Sequence, residues 1–156
     1  MRRGLALILA CVLLIVAAGC GDGGDGETTT TASLTKAQFV RKANKICKAS
    51  DDKIEQASKR FYAGAPPGQE APPNEIEQFG EQTVYPTIQD EIDRIRSLGP
   101  PEGDEGQVKA ILQASEAGLA KLKQDPKQLA KGGAAPAFEK AQELAGDYGL
   151  DQCASG

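Results

Sequence analysis

Apolar side chains recur every three or four residues through four segments of the chain that follows residue 33. This spacing places them on one face of an α-helix in each segment. The first stripe comprises Phe39, Ala43, Ile46, Cys47, Ile54, Ala57 and Phe61. The second comprises Ile76, Phe79, Val84, Ile88, Ile92, Ile95 and Leu98. The third comprises Val108, Ile111, Leu112, Ser115, Leu119 and Leu122, and the fourth Phe138, Ala141, Leu144, Ala145 and Tyr148.

The ends of the first two helices have recognisable signals. Thr35-Lys36-Ala37-Gln38 has the form of a capping box, and Gly64 is a plausible stop. Asn74 has the position of a second cap, and the helix that follows is expected to reach about Ser97. Pro86 lies inside this helix, where it removes a hydrogen bond, so the sequence predicts a kink near Gln82.

The two later helices are bounded in the same way. Asp104-Glu105-Gly106-Gln107 predicts a capping box, and Asp125-Pro126 ends the helix that it starts. A short helical turn is expected from Pro126, before Gly132 and Gly133 break the chain. The last helix starts at Pro136 and ends at Gly149, a left-handed stop.

No segment alternates apolar and polar residues as strands do, so the sequence predicts an all-α fold. Residues 34–156 have the size of a single domain. An antiparallel four-helix bundle is the simplest arrangement of four amphipathic helices with short connections.

The first 33 residues have the features of an export signal. Arg2 and Arg3 precede fourteen apolar residues, Leu5 to Ala18, a stretch too short to cross a membrane. The run Ala17-Ala18-Gly19-Cys20 resembles the cleavage and acylation site of a lipoprotein. We therefore predict a signal peptide at residues 1–19, a lipidated Cys20, and a disordered tether to residue 33. The alternatives are an ordinary signal peptide and an uncleaved anchor.

Export separates the four cysteines by role. Cys11 leaves with the signal peptide and Cys20 takes the lipid, which leaves Cys47 and Cys153 in the mature domain. Two thiols outside the cytoplasm predict one disulfide, which would pin the last helix to the first. A reactive or metal-binding pair is the alternative, although neither cysteine belongs to a C-x-x-C motif.

The net charge of the mature chain indicates which classes of partner it can bind. The chain has 18 basic and 22 acidic residues, and loss of Arg2 and Arg3 with the signal leaves a net charge of −6 (16 minus 22). Nucleic acid is therefore not an expected partner. Residues 35–61 are predominantly basic and residues 74–98 predominantly acidic, which suits neighbouring helices.

The sequence predicts no cofactor and no catalytic or metal site. The chain contains no histidine, which excludes the commonest general base. Glu77 and Glu81 share a helix face, as do Asp90 and Arg94. They could serve a carboxylate-dependent hydrolase or a divalent ion, but a solvated face explains them as well.

Two further features suggest binding. Lysines on the first helix could contact anionic lipid or wall polymers, or could simply be balanced by the acidic second helix. They are Lys42, Lys45, Lys48, Lys53 and Lys59. The Pro86 kink could also open a cavity bordered by small residues, which equally allow close helix packing. These residues are Thr83, Thr87, Ser115 and Gly118.

Three blocks carry a resemblance: Leu34 to Cys47 (LTKAQFVRKANKIC), Leu98 to Pro101, and Phe138 to Cys153 (FEKAQELAGDYGLDQC). They resemble a group of small lipoproteins of high-GC Gram-positive bacteria to which no activity is assigned. The resemblance supports the architecture and leaves function open.

We therefore expect a non-enzymatic lipoprotein held on the outer face of the cell membrane. Its helical domain would bind an envelope protein, a lipid or a wall component. A module that binds a small apolar or cationic ligand in the bundle interior is the first alternative, and a carboxylate-dependent hydrolase is the second.

Overall fold

The computed structural model describes residues 33–63 and 71–156, and within these ranges all regular structure is helical. The predicted signal peptide, Cys20, the tether up to residue 32 and Gly64 lie outside the described residues. The longer helices are α1 (Lys36–Ala63), α3 (Tyr85–Ser97), α4 (Glu105–Gln124) and α6 (Ala135–Tyr148). The shorter ones are α2 (Pro73–Phe79), α5 (Lys127–Gly132) and α7 (Asp151–Ala154). No helix in the described ranges has the length and hydropathy needed to cross a membrane.

The predicted capping box at the start of α1 is confirmed. The Gln38 N–H donates to the Thr35 hydroxyl at 3.3 Å, and the Thr35 N–H donates to Gln38 Oε1 at 3.0 Å. These two bonds satisfy backbone donors that have no partner inside the helix. The helix then continues to Ala63 and buries Phe39, Ala43 and Cys47 as the apolar spacing predicted.

The second helical region differs from its prediction at its start. It begins at Pro73, and Asn74 lies inside the first turn without capping the helix. Proline at the first helical position has no N–H to satisfy and has its φ already fixed, so the helix starts at Pro73, two residues earlier than a cap at Asn74 would place it. The predicted cap at Asn74 was therefore wrong.

Near Gln82, where the sequence predicted a kink, the structure has a π-helical segment, Gly80–Val84, between α2 and α3. Pro86 cannot donate to the Gln82 carbonyl, which releases the regular hydrogen-bond ladder at this turn. The Tyr85 N–H instead reaches back five residues to the Gly80 carbonyl. The chain continues as a helix on both sides, so α2, the π-helical segment and α3 form one uninterrupted helical stretch.

Asp104 precedes α4, as predicted, but its side chain makes no capping hydrogen bond. Its carboxylate accepts a hydrogen bond from the Tyr148 hydroxyl at 2.7 Å, and Glu105 accepts one from the Gly103 N–H. The predicted capping box was wrong because a distant, partly buried phenol competes for the same carboxylate. Burial and this hydrogen bond both raise the pKa of Tyr148.

The end of α6 follows its prediction. Gly149 adopts a left-handed conformation with φ 96°, and Leu150 folds back so that its N–H donates to the Ala145 carbonyl at 2.8 Å. Leu150 is almost fully buried as a result. Helix α7, which follows with four residues and carries Cys153, was not predicted.

The hydrophobic core consists of two clusters. The first surrounds Phe39 and Tyr148, whose rings meet edge to face, and it includes Cys47, Ile95 and Leu150. The second cluster contains the buried residues Val84, Tyr85, Ile92, Leu119, Leu122 and Ala137. The split matters because the space between the two clusters is incompletely filled.

The predicted disulfide between Cys47 and Cys153 is present, with the two Cα atoms 5.1 Å apart. It joins the middle of α1 to α7. Helix α1 packs on α3 and α7, α3 on α4, α4 on α6, and α6 on α7. These contacts form a closed ring of helices. The disulfide joins α7, the shortest helix of the ring, to α1.

We expect reduction of this disulfide to lower the free energy of unfolding by about 3 to 5 kcal/mol, because the bond closes a loop with a sequence separation of 106 residues. Urea unfolding of the full chain with and without reductant measures the change. The double variant Cys47→Ala/Cys153→Ala is the control, and it should resemble the reduced protein and be insensitive to reductant. An unchanged midpoint would show that the bond does not stabilise the fold.

Candidate functional site

A cavity of about 440 Å³ lies between the two hydrophobic clusters. Helices α1, α3, α4 and α6 each contribute to its wall, together with residues of α7. Its apolar lining consists mainly of Ile54, Ile88, Ile92, Ile95, Ile111, Leu112, Phe138 and Leu150. This volume falls within the range of about 300 to 1,000 Å³ that is typical of small-molecule sites.

Short side chains on α6 explain why the space is not filled. Ala134, Ala135, Ala141 and Ala145 all face the cavity from this helix or from the residues just before it. Alanine presents only a methyl group at each of these positions and so fills little of the space beside α6. The alanine content of α6 therefore accounts for the unfilled volume.

Phe138 is the large side chain that α6 contributes, and it packs closely on α4 at Gly118. A Cβ atom at Gly118 would lie 2.6 Å from Phe138 Cδ1 and 2.8 Å from the Ala137 carbonyl oxygen. Gly118 is therefore required for the close approach of α6 to α4. That approach holds α6 against α4 and leaves the opening on the side of α1.

The mouth of the cavity is marked by the lining residues that are exposed. These are Glu55 on α1, Ala135 at the start of α6, and Ser155 and Gly156 after α7. Gly156 lies beside the Asp51 carboxylate and its carbonyl accepts a hydrogen bond from the Gln142 amide. The residues after α7 thus lie across the mouth between α6 and α1.

Besides Glu55 at the mouth, two carboxyl groups belong to the cavity wall. Glu91, on α3, is half-buried, and burial raises its pKa to about 7. Hydrogen bonding to Ser50 and the charge of Arg94 act in the opposite direction, while the charge of Asp51 adds to the increase. Burial also raises the pKa of Asp51, on α1. A further negative charge placed near these two carboxyl groups would therefore be unfavourable.

The predicted site residues have different positions relative to the cavity. Cys47 and Cys153 line it through their disulfide, and Cys20 lies outside the described residues. Lys48 and Lys59 are exposed and pair with Asp52 and Glu55 of their own helix, at 2.8 and 2.6 Å. The acidic residues of α2 and α3, which the charge distribution suggested as partners, are not used by these two lysines.

The remaining candidates are mostly remote from the cavity. Glu77 and Glu81 are exposed, and Asp90 and Arg94 form an exposed ion pair at 3.5 Å. Of the small residues expected to border a cavity, only Ser115 does so. The others pack: Thr87 is buried and donates to the Thr83 carbonyl at 2.7 Å, and Gly118 meets Phe138.

Glu91 and Asp51 were not among the predicted site residues, although the sequence pattern contains a signal for both. Glu91 follows Ile88 by three residues and precedes Ile95 by four. Asp51 follows Cys47 by four residues and precedes Ile54 by three. Each acidic residue therefore interrupts an apolar stripe on the inner face of its helix.

Neither a metal site in the described residues nor a match to a known protein adds to the candidate site. The described residues contain no group of three or more histidine, cysteine, aspartate or glutamate side chains placed to hold a metal ion. Comparison of the chain with profiles of known protein families, with curated proteins and with solved structures finds no match. The cavity and its two carboxyl groups therefore define the candidate site.

We expect Glu91→Gln to stabilise the protein at pH 8 and to have little effect at pH 4. Burial raises the pKa of Glu91 from an ordinary 4.5 to about 7. The folded protein thus holds a proton that the unfolded chain has released, and the stability from that proton is lost as the pH rises through 7. The loss is at most about 3 kcal/mol.

Urea unfolding of the full chain and of the variant between pH 4 and pH 8 measures this difference. Glu139→Gln is the matched control, since Glu139 is an exposed residue on α6. Its stability difference from the parent protein should not vary with pH in this way. A Glu91→Gln effect that is the same at both pH values would contradict a raised pKa for Glu91.

Proposed function

We propose that the protein is a non-enzymatic lipoprotein of the cell envelope whose helical domain binds a small molecule with an apolar body. The cavity between the two hydrophobic clusters is the observation that carries this proposal. Binding sites for small molecules are concave and mainly apolar, with a few polar groups that fix orientation. The aliphatic lining, together with Glu91 and Asp51 on one wall, has this composition.

The scaffold that we propose for this site is an antiparallel four-helix bundle. Its members are α1, the continuous stretch from α2 to α3, α4, and α6. A short connection such as residues 98–104 favours antiparallel neighbours. Bundles of this kind commonly hold ligands between facing helices, which agrees with the position of the cavity.

The cellular location that we propose depends on residues 1–33. A basic head, an apolar stretch and small residues before Cys20 are typical of a lipoprotein signal. Lipid on Cys20 would attach the mature chain to the outer face of the membrane. The polar segment that follows would act as a tether. A disulfide between Cys47 and Cys153 suits an oxidising compartment, which supports export.

Lipid attachment is tested by exchanging cysteines. We expect Cys20→Ser to abolish acylation, because serine has no thiol to receive the lipid. Intact mass spectrometry of the protein from a native envelope measures this. Cys11→Ser is the matched control and should leave acylation and membrane association unchanged. An unacylated parent protein, or an acylated Cys20→Ser variant, would contradict the proposed anchor.

Ligand binding is tested with 1-octanol as a neutral probe of the cavity. Five isoleucines line the cavity, whereas Ile46 and Ile76 do not. In the full chain, carried in lipid nanodiscs and labelled at isoleucine methyl groups, 1-octanol should shift the methyl signals of the five. Ala141→Leu places a larger side chain in the cavity, so it should weaken binding at least about ten-fold while leaving stability equal or higher.

Ala117→Leu is the matched control for this change, because Ala117 is exposed on α4. It should bind 1-octanol as the parent protein does. Empty nanodiscs provide the correction for probe that dissolves in lipid. If 1-octanol leaves the five cavity signals unchanged, or shifts them equally in the Ala141→Leu variant, the cavity is not a ligand site.

A further inference from the structure

The charge around the cavity is one-sided. Neither Glu91 nor Asp51 forms an ion pair with any residue in the ranges that the structure describes. The nearby cations are already engaged by other carboxylates of their own helices: Lys48 by Asp52, Lys59 by Glu55, and Arg94 by Asp90. The two wall carboxyl groups are thus left without a positive partner.

The position of these groups makes a cation a better occupant than a neutral or anionic molecule. Glu91 faces Ser50 and Asp51 on α1. Arg94, on the same helix as Glu91, is the cation whose charge lowers the pKa of Glu91. Of the other polar lining residues, Ser115, Gln142 and Ser155 do not titrate, and Glu55 at the mouth is paired with Lys59 at 2.6 Å. Displacing water from this wall with an apolar group would leave ionised carboxylates without compensation, which costs free energy.

An inorganic ion does not suit the same site. Calcium takes six to eight oxygen ligands, and magnesium retains much of its hydration shell. Two carboxyl groups at the edge of an aliphatic cavity provide neither arrangement. An organic cation carries one diffuse charge on an apolar body, so it can fill the aliphatic space and meet the carboxylates at once.

We propose that the cavity recognises an organic monocation, such as an alkylammonium compound, with its apolar body among the isoleucines and its charged group between Glu91 and Asp51. This proposal rests on the proposed function, because it names the class of ligand for the same cavity. It adds that the acidic wall, and not the apolar volume alone, selects the ligand.

Three probes of the same chain length separate charge from apolar volume: octyltrimethylammonium, 1-octanol and octyl sulfate. The full chain in phosphatidylcholine nanodiscs is titrated with each, isoleucine methyl shifts are followed, and free probe is measured by dialysis against empty nanodiscs. At pH 8 we expect octyltrimethylammonium to bind at least about ten-fold more tightly than 1-octanol, and octyl sulfate more weakly than both.

The quaternary ammonium group keeps its charge at every pH, so any pH dependence arises from the protein. Its affinity should fall about ten-fold between pH 8 and pH 5.5, as protonation removes the charge of Glu91, while 1-octanol binding should stay nearly constant. Glu91→Gln should abolish the preference for the cation at pH 8 and retain 1-octanol binding. Glu139→Gln, an exposed change of the same kind, should retain the preference.

The outcomes distinguish the two proposals. If none of the three probes shifts the cavity signals, the cavity does not bind ligands and the proposed function fails. If 1-octanol binds as tightly as octyltrimethylammonium, or if Glu91→Gln keeps the cation preference, the cavity binds ligands but the acidic wall does not select them. Only the second result overturns the assignment of an organic cation by itself.

Discussion

The covalent bond between Cys47 and Cys153 is the constraint on which the arrangement of helices depends. Helix α7 has four residues, far fewer than an isolated helix needs for stability, yet it is the element that packs between α6 and α1. The disulfide and the hydrogen bond from the Gln152 N–H to Asn44 hold it there. Because α7 closes the ring of helices, fixing α7 also fixes the separation of α1 from α6.

This mode of closure explains how the domain can contain a cavity. A ring closed only by side-chain packing would need large residues on the facing surfaces of α1 and α6, since unfilled volume in a core costs stability. Here the covalent bond closes the ring, and α6 can carry alanines along its inner face. Phe138, seated against Gly118, anchors α6 to α4 on the opposite side. The disulfide and the cavity are thus two consequences of one architecture.

Local signals could be read from the sequence, and long-range competition could not. The capping box at Thr35, the stop at Gly149 and the disruption before Pro86 depend on residues within a few positions of one another. The role of Asp104 depends on Tyr148, forty-four positions away, which claims its carboxylate. Glu91 was missed for a related reason: its spacing placed it on the inner face, but only the packing of α1 across from it reveals that it faces a cavity.

If the cavity binds a cation as proposed, Glu91 would link the stability of the domain to ligand binding. In the empty protein above neutral pH its carboxylate is ionised in surroundings that favour the protonated form, since burial raises its pKa to about 7. Glutamine would fit the same space without this cost, which agrees with the proposed role of the carboxylate in recognition. A bound cation would lower the pKa of Glu91 and offset the desolvation of its charge. The ligand would then stabilise the ionised form of Glu91, which is the form that burial disfavours in the ligand-free protein.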